Sequence, residues 1–329
     1  MKVLVPLVGV SVIILLALIF GGISSMQLII GAVIPYAAVI VFVAGVIVKI
    51  KDWLGTPVPF RIPTTCGQQK SFPWIKNNEL ENPSKGSSVI LRMALEVLLF
   101  RSLFRNTFSE VRDGRLAHSS RKWLWLGALV FHAAFFTVIF RHLRLFVEPV
   151  PPCLHILELL DGFMQIGVPA LYMSGVILLL ATMYLFARRI HIPQVKYISL
   201  PADYFPLFLI FAIALTGILM RYFTKVDIIS VKQFLMGLVT FSPQLQPGIG
   251  VIFYIHVLLV STLLAYFPFS KLMHAGGVFF SPTRNMANNS RVIRHINPWN
   301  YKVKVHTYEE YEEEFKDKMK KAGLPLDKE

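Results

Sequence analysis

The chain has 329 residues, of which 55% are hydrophobic, and 33 basic against 19 acidic side chains give it a formal net charge of +14. With a mean hydropathy of +0.59, the apolar content exceeds what a soluble core of this size needs, so a water-soluble domain is excluded and an integral membrane protein is expected. The positive charge requires no nucleic acid, because basic residues at the cytoplasmic ends of membrane helices meet anionic headgroups.

A spanning helix takes about 20 mostly apolar residues. Six stretches reach or approach that length: Val3 to Ile23, Leu28 to Val48, Trp123 to Phe146, Phe163 to Phe186, Phe205 to Phe223 and Ile249 to Leu272. The expected fold class is therefore all-α, a bundle of six transmembrane helices. The organisation reads as an extra N-terminal helix and outer turn (1–26), a second helix (27–50), a cytoplasmic loop (51–121), a four-helix part (122–275) and a cytoplasmic tail (276–329). Lys2 before the first apolar run, and the small residues from Gly21 to Ser25, leave a cleaved signal peptide as the alternative for the first stretch. The run is long for that role, no A-x-A site follows, and the second apolar segment begins almost at once. A retained helical hairpin is the simpler reading.

The segment from Lys51 to Lys122 carries Arg61, Lys70, Lys76, Lys85, Arg92, Arg101, Arg105, Arg112, Arg115 and Arg121, which assigns it to the cytoplasmic side. Its first part, with Pro57, Pro59, Pro63, Pro73 and Pro83, cannot propagate a helix and reads as an extended strap. From Val89 to Phe104 an apolar helix with a polar stripe of Arg92, Glu96, Arg101 and Arg105 suits the headgroup boundary, as an interfacial anchor rather than a partner contact. Arg188, Arg189 and Lys196 mark the next inner loop and the tail from Lys271 is basic again, so a multi-pass protein of the cytoplasmic membrane with both termini inside is expected. Near the end, Tyr308 to Lys321 begins Glu-rich and finishes Lys-rich, which complements a helix dipole. Its two readings are a solvated helix and a clamp on a partner subunit.

Four histidines lie at the spanning stretches: His132 and His142 ten residues apart, His256 and His274 eighteen apart. Ionisable groups among lipid tails need a functional reason, and neutral imidazole is a common axial ligand of haem iron. At 1.5 Å per residue the first two stand ~15 Å apart along the third helix and the second two ~27 Å apart along the sixth. Those helices are antiparallel, so His142 is expected opposite His256 near the outer face, and His132 opposite His274 further in. Eighteen residues are five whole turns, whereas ten residues fall ~80° short of three, a mismatch that tilt or local unwinding must absorb. The expectation is two haem b groups, with these four residues as the ligands of the haem iron. His274 follows Lys271 at the membrane edge, where Met273, or no ligand, is the alternative.

No CxxCH for covalent haem and no cysteine cluster for an iron–sulfur centre is present. The two cysteines, Cys66 and Cys153, fall on opposite sides in this topology, which excludes a disulfide, and Cys66 reads as packing rather than as a redox thiol. Arg141, Arg144 and Arg221 sit at the outer end, where haem propionates need cations; snorkelling to lipid phosphate is the alternative. Glu148, Glu158, Asp161 and Lys225 are the ionisable candidates for a proton path at the same outer rim, and no spacing ranks them.

The two histidine pairs, on the second and fifth of the last five helices, resemble the dihaem gamma subunit of respiratory nitrate reductase. Longer segments carry a second resemblance: TPVPFRIPTTCGQQKSFPWIKNNELENPS from Thr56, MALEVLLFRSLFRNT from Met93, SRKWLWLGAL from Ser120 and RHLRLFVEPVP from Arg141. They continue with YISLPADYFPLF from Tyr197, LMRYFTKVDI from Leu219, AYFPFSKLMHAGGVFFSPTRNMANNSR from Ala265 and NPWNYKVKVHTYEEYEEEF from Asn297. These are similar to the DsrM (HmeC) family, the dihaem cytochrome b subunits of the DsrMKJOP (Hme) membrane complex linked to dissimilatory sulfite reductase. That resemblance implies bis-histidine haems at the four positions, electron exchange with menaquinone near the outer haem, and a cytoplasmic iron–sulfur partner resembling heterodisulfide reductase. It makes the chain an electron-transfer subunit of a menaquinol-linked oxidoreductase complex. Two rivals use the same residues otherwise: a transporter with a histidine proton relay, against which no internal repeat or matched pair of broken helices is seen, and a non-redox membrane anchor whose histidines bind nothing.

Overall fold

The computed structural model describes residues 1–56, 67–164, 166–289, 291 and 305–327. Pro57, Pro59 and Pro63 of the expected strap, and Cys66, lie outside them. Six helices are long and apolar enough to cross a membrane: Leu4–Gly21, Ser24–Gly55, Lys122–Leu145, Met173–His191, Pro201–Phe223 and Val251–Phe269. Most of their apolar side chains point outward, as the exposed Leu15, Ile40, Phe136 and Leu180 illustrate. A helix satisfies its own backbone hydrogen bonds, so lipid can take the place of a protein core around such faces.

The sixth helix packs against the first, second and fifth; the fifth also touches the first and fourth, and the fourth carries the third. The first helix is wedged between the fifth and sixth, where Val10 and Ala17 meet Leu209, Ala212, Ile255 and Leu259, and Ala17 is 0% exposed. A helix so embedded is part of the bundle. At one end, Ile30 of the second helix packs with Phe253 and Tyr254 of the sixth, and with Val231, Phe234 and Leu235 of a shorter helix, Ile228–Val239. Asp227 caps that short helix; the Ser230 hydroxyl and the Ile229 N–H hold its carboxyl below the usual carboxylate range.

Three departures from the expected elements have local causes. The fourth span starts at Met173 rather than Phe163, because 152–161 form a separate helix, Pro152–Asp161, followed by a turn through Gly162 and Pro169. The sixth span ends at Phe269 instead of running to Leu272: Pro268 lies in a 3-10 turn and Ser270 is extended (φ −122°, ψ 174°) with its hydroxyl accepting from the Leu272 N–H. His274 therefore stands on a separate run of short turns, and the five-turn stripe expected with His256 does not exist. Finally, residues read as featureless loop form an antiparallel hairpin, Thr107–Arg112 with Arg115–Ser120, closed by Asp113 (φ 52°) and Gly114 (φ 74°). An Asp-Gly pair between alternating residues is the sequence signal for such a turn.

The interfacial helix is Gly86–Leu99, broken at Phe100 (φ 50°) before a last turn, Arg101–Phe104. Its polar stripe makes contacts within the protein. Arg92 and Glu96 are buried, and Arg101 and Arg105 both donate to Glu81 of the preceding loop, Arg101 at 2.7 Å. Burying paired charges against the loop fixes the helix to the protein, which a free interfacial anchor would not need. Further on, Asn288 donates to the Asn82 side chain at 2.6 Å, and its N–H to the Pro83 carbonyl at 2.6 Å, so the start of the tail is tied to the same loop. The tail helix, Tyr308–Lys321, forms where expected, with Thr307 and Glu310 in a reciprocal capping box.

Gly31 faces the ring of the fully buried Phe234, and a Cβ there would lie 2.8 Å from Phe234 Cζ. Gly31→Val should therefore lower stability in detergent by about 1–3 kcal/mol, the usual cost of overpacking a fixed core. Gly55→Ala, where nothing lies within 4 Å of the added carbon, should leave the thermal unfolding midpoint unchanged.

Candidate functional site: two pairs of facing imidazoles

The third and sixth helices do not pack closely against each other. Histidines face one another between these two helices, and between the third helix and the turns that follow the sixth. The rings of His142 and His256 are 6.4 Å apart, centre to centre, and nearly parallel at 12°. The rings of His132 and His274 are 6.0 Å apart and perpendicular at 90°. His132 is flanked by Phe100 and Phe131, with ring centres at 4.9 and 5.1 Å. His142 and His274 are exposed, His132 and His256 half-buried. Met273, the alternative to His274, is buried.

Each ring is oriented through Nδ1. His132 Nδ1 donates to the Ala128 carbonyl at 2.8 Å, His142 Nδ1 to the Val138 carbonyl at 2.7 Å, and His274 Nδ1 to the Lys271 carbonyl at 2.7 Å. A carbonyl only accepts, so in these three the proton sits on Nδ1 and Nε2 keeps a lone pair. His256 Nδ1 lies 2.9 Å from Thr216 Oγ1 on the fifth helix. Two imidazoles bound from opposite sides to one metal, each through a bond of about 2 Å, have ring centres about 6 Å apart. The observed separations and the engaged Nδ1 atoms fit that geometry at both pairs. Among the described residues no three His, Cys, Asp or Glu side chains converge, so the imidazoles meet only in twos.

The three arginines expected at this end differ in their surroundings. Arg141 pairs with Asp161 at 2.7 Å, with side chains 11% and 5% exposed, and reaches the Ser174 hydroxyl at 3.3 Å. Asp161 also accepts from the Ser174 hydroxyl and backbone N–H, which satisfies the carboxylate and joins the third helix to the fourth. Arg144 pairs with Glu158. Arg221 stacks on Tyr172 at 4.0 Å from the ring centre, opposite Arg141 at 3.7 Å, and its buried Nε has no hydrogen-bond partner among the described residues. Of the expected proton-path candidates, Glu148 bonds to Lys232, and Lys225 occupies a left-handed turn (φ 47°). Cys153 is an exposed free thiol at the start of the helix Pro152–Asp161.

Reasoning from sequence missed Tyr172, Ser174, Thr216 and Lys232. None has a spacing that marks it; each gains its contacts at this end only because a distant segment brings a charged group or a ring to it. Between the turn after His142 and the helix Ile228–Val239 lies a cleft of about 380 Å³. Leu145, Ile228, Ile229 and Met236 give it apolar walls, while Arg144, Lys232 and Gln233 bring polar groups to it.

Replacing Asp161 with Asn leaves the Arg141 guanidinium buried without a countercharge, an arrangement that typically costs about 3–5 kcal/mol. Glu148 is 61% exposed, and Glu148→Gln should cost under about 1 kcal/mol. Thermal unfolding in detergent should separate the two variants in that order, and equal midpoints would show that the Arg141 pair is not a structural tie.

Among known proteins, residues 93–295 match the family described as nitrate reductase gamma subunit. The chain is 46% identical over 276 residues, 82% of either chain, to a protein of Archaeoglobus fulgidus described as an "Hdr-like menaquinol oxidoreductase cytochrome b-like subunit". A protein of Archaeoglobus profundus with the same description is 39% identical over 312 residues, covering 87% of this chain and 93% of the relative. The family match runs from the interfacial helix to beyond the sixth span and includes all four histidines. Resting on more than half of the chain and on a fold of six apolar helices, this match makes the protein a multi-pass membrane member of the nitrate reductase gamma subunit family.

Proposed function

We propose that the chain is a dihaem cytochrome b subunit that exchanges electrons between menaquinone and a cytoplasmic iron–sulfur partner resembling heterodisulfide reductase, within a Dsr/Hme-type complex of dissimilatory sulfur metabolism. The relatives described as menaquinol oxidoreductase cytochrome b-like subunits support the redox class and the quinone. The observation that carries the reading is the two imidazole pairs, 6.0 and 6.4 Å apart, with Nδ1 of every ring engaged. His142 and His256 would hold the outer haem b, His132 and His274 the inner one. A haem ligated on both faces by imidazole supplies one-electron exchange, with no open position at iron for oxygen chemistry.

The chain's own groups serve that role in distinct ways. Hydrogen bonds at Nδ1 fix the tautomer that presents Nε2 and raise its basicity. Arg221, with an unpartnered Nε beside His142's helix end, is the propionate partner this reading favours; Arg141 and Arg144, each on a carboxylate, neutralise and brace the same end. The cleft beside the turn after His142 suits a quinone, whose ring needs apolar walls and whose two oxygens need donors such as Lys232 and Gln233. The excess of basic residues between Lys51 and Lys122 puts the partner-facing side, and both termini, in the cytoplasm. The tail tied to the inner loop through Asn82 and Asn288 extends that side as a surface for a second subunit.

The optical spectrum of the purified protein is the first test: two b-type haems per chain are expected, and none would leave the proton-relay or anchor readings. Replacing His142 or His256 by Ala should remove one haem and spare the other, and His132 or His274 should remove its counterpart. A crossed pattern would overturn the pairing. Parallel rings at one site and perpendicular rings at the other should also give two low-spin ferric resonances of different anisotropy, the inner one broader in its g-spread.

A further inference from the structure

Three of the four histidines are held by backbone carbonyls of their own segment, Ala128, Val138 and Lys271. No side-chain substitution removes a carbonyl. His256 is different: its Nδ1 is hydrogen-bonded at 2.9 Å to a side chain on another helix, the hydroxyl of Thr216. Thr216 is buried, and its Oγ1 lies 2.8 Å from the Ala212 carbonyl and 3.0 Å from the Ile213 carbonyl of its own helix. A hydroxyl has one proton and two lone pairs. With carbonyls as the only other partners, that proton goes to the helix backbone, and a lone pair is left for the Nδ1–H of His256. Nε2 of His256 is then the unprotonated nitrogen, on the side of His142.

We infer that Thr216 is a positioning residue for the outer haem: it fixes the tautomer and plane of His256 from the fifth helix and thereby sets the potential of that haem alone. The inference rests on the dihaem reading above. A hydrogen bond from Nδ1–H to an acceptor gives the imidazole partial imidazolate character, which favours ferric over ferrous iron. Loss of the acceptor should raise the outer midpoint potential. At the inner pair both acceptors are carbonyls, so the inner midpoint has no such lever. The Ile213 carbonyl, 3.0 Å from the Thr216 hydroxyl, is the competing acceptor that the test must separate from that hydroxyl.

Thr216→Val keeps the β-branching of the side chain and removes the hydroxyl, as acceptor for His256 and as donor to its own helix, and Thr216→Ser restores it. Redox titration of the purified complex, followed optically and by electron paramagnetic resonance, should show two haems in all three proteins. The outer midpoint should be shifted upward and the outer resonance altered in Thr216→Val, with both restored in Thr216→Ser and the inner haem unmoved throughout. Two haems with an unshifted outer midpoint in Thr216→Val would assign the acceptor role to Ile213 and overturn the inference, as would equal shifts at both haems. Absence of haem from the unmodified protein would instead defeat the dihaem reading on which it stands.

Discussion

An imidazole inside a membrane has two nitrogens to satisfy and little water to satisfy them with. In this protein one nitrogen of each of four rings is bonded to a backbone carbonyl or to a threonine hydroxyl, and each ring lies about 6 Å from a ring on another segment. Much of the bundle follows from keeping those rings apart by the same interval at two depths. The third and sixth helices pack on each other only lightly, with Leu263 of the sixth reaching the cluster around Phe131 and Ala134 of the third. The sixth is instead braced by the first, second and fifth, and the third by the fourth. The first helix has its structural reason here: its small Ala17 lets it approach the fifth and sixth closely and support the back of the helix that carries His256.

Charge is arranged around the same gap. At the end carrying His142 and His256, Arg141, Arg144 and Lys232 each meet a carboxylate, and Tyr172 is held between two guanidiniums. Pairing of this kind adds little stability where water reaches it and much where it does not. The buried Arg141–Asp161–Ser174 set is therefore the structural tie, and the exposed Lys232–Glu148 pair is free to exchange partners. Arg221 adds a cation on the far face of Tyr172 from Arg141 that this network does not fully use.

The opposite end is built from loop rather than helix. The chain leaves the sixth helix at Ser270, sets His274 opposite His132, and then ties itself at Asn82 to the loop between the second and third helices. Lys271 links this turn to the rest: its carbonyl accepts from His274 Nδ1, and its ammonium bonds Asp203 at 2.7 Å at the start of the fifth helix. A side chain placed on a short turn takes its position from such ties, whereas one inside a helix takes it from the helix.

Length and apolar composition determined that this chain makes six membrane helices, because hydrocarbon accepts only backbone that bonds to itself, and about 20 apolar residues are what it takes to cross. The same stretches placed His132, His142 and His256 on two antiparallel helices, whereas His274 stands on a turn beyond the sixth. The Asp113–Gly114 turn was also legible, as a two-residue turn whose left-handed backbone favours those residue types. The break at Ser270, the inward face of Arg92 and Glu96, and the partnership of Thr216 with His256 were decided by tertiary structure. Helical periodicity tells which residues share a face, but not what stands opposite that face. Whether a polar stripe meets headgroups or a carboxylate such as Glu81, and whether a threonine bonds only its own helix or also orients a neighbour's ring, depends on how helices distant in sequence are set side by side.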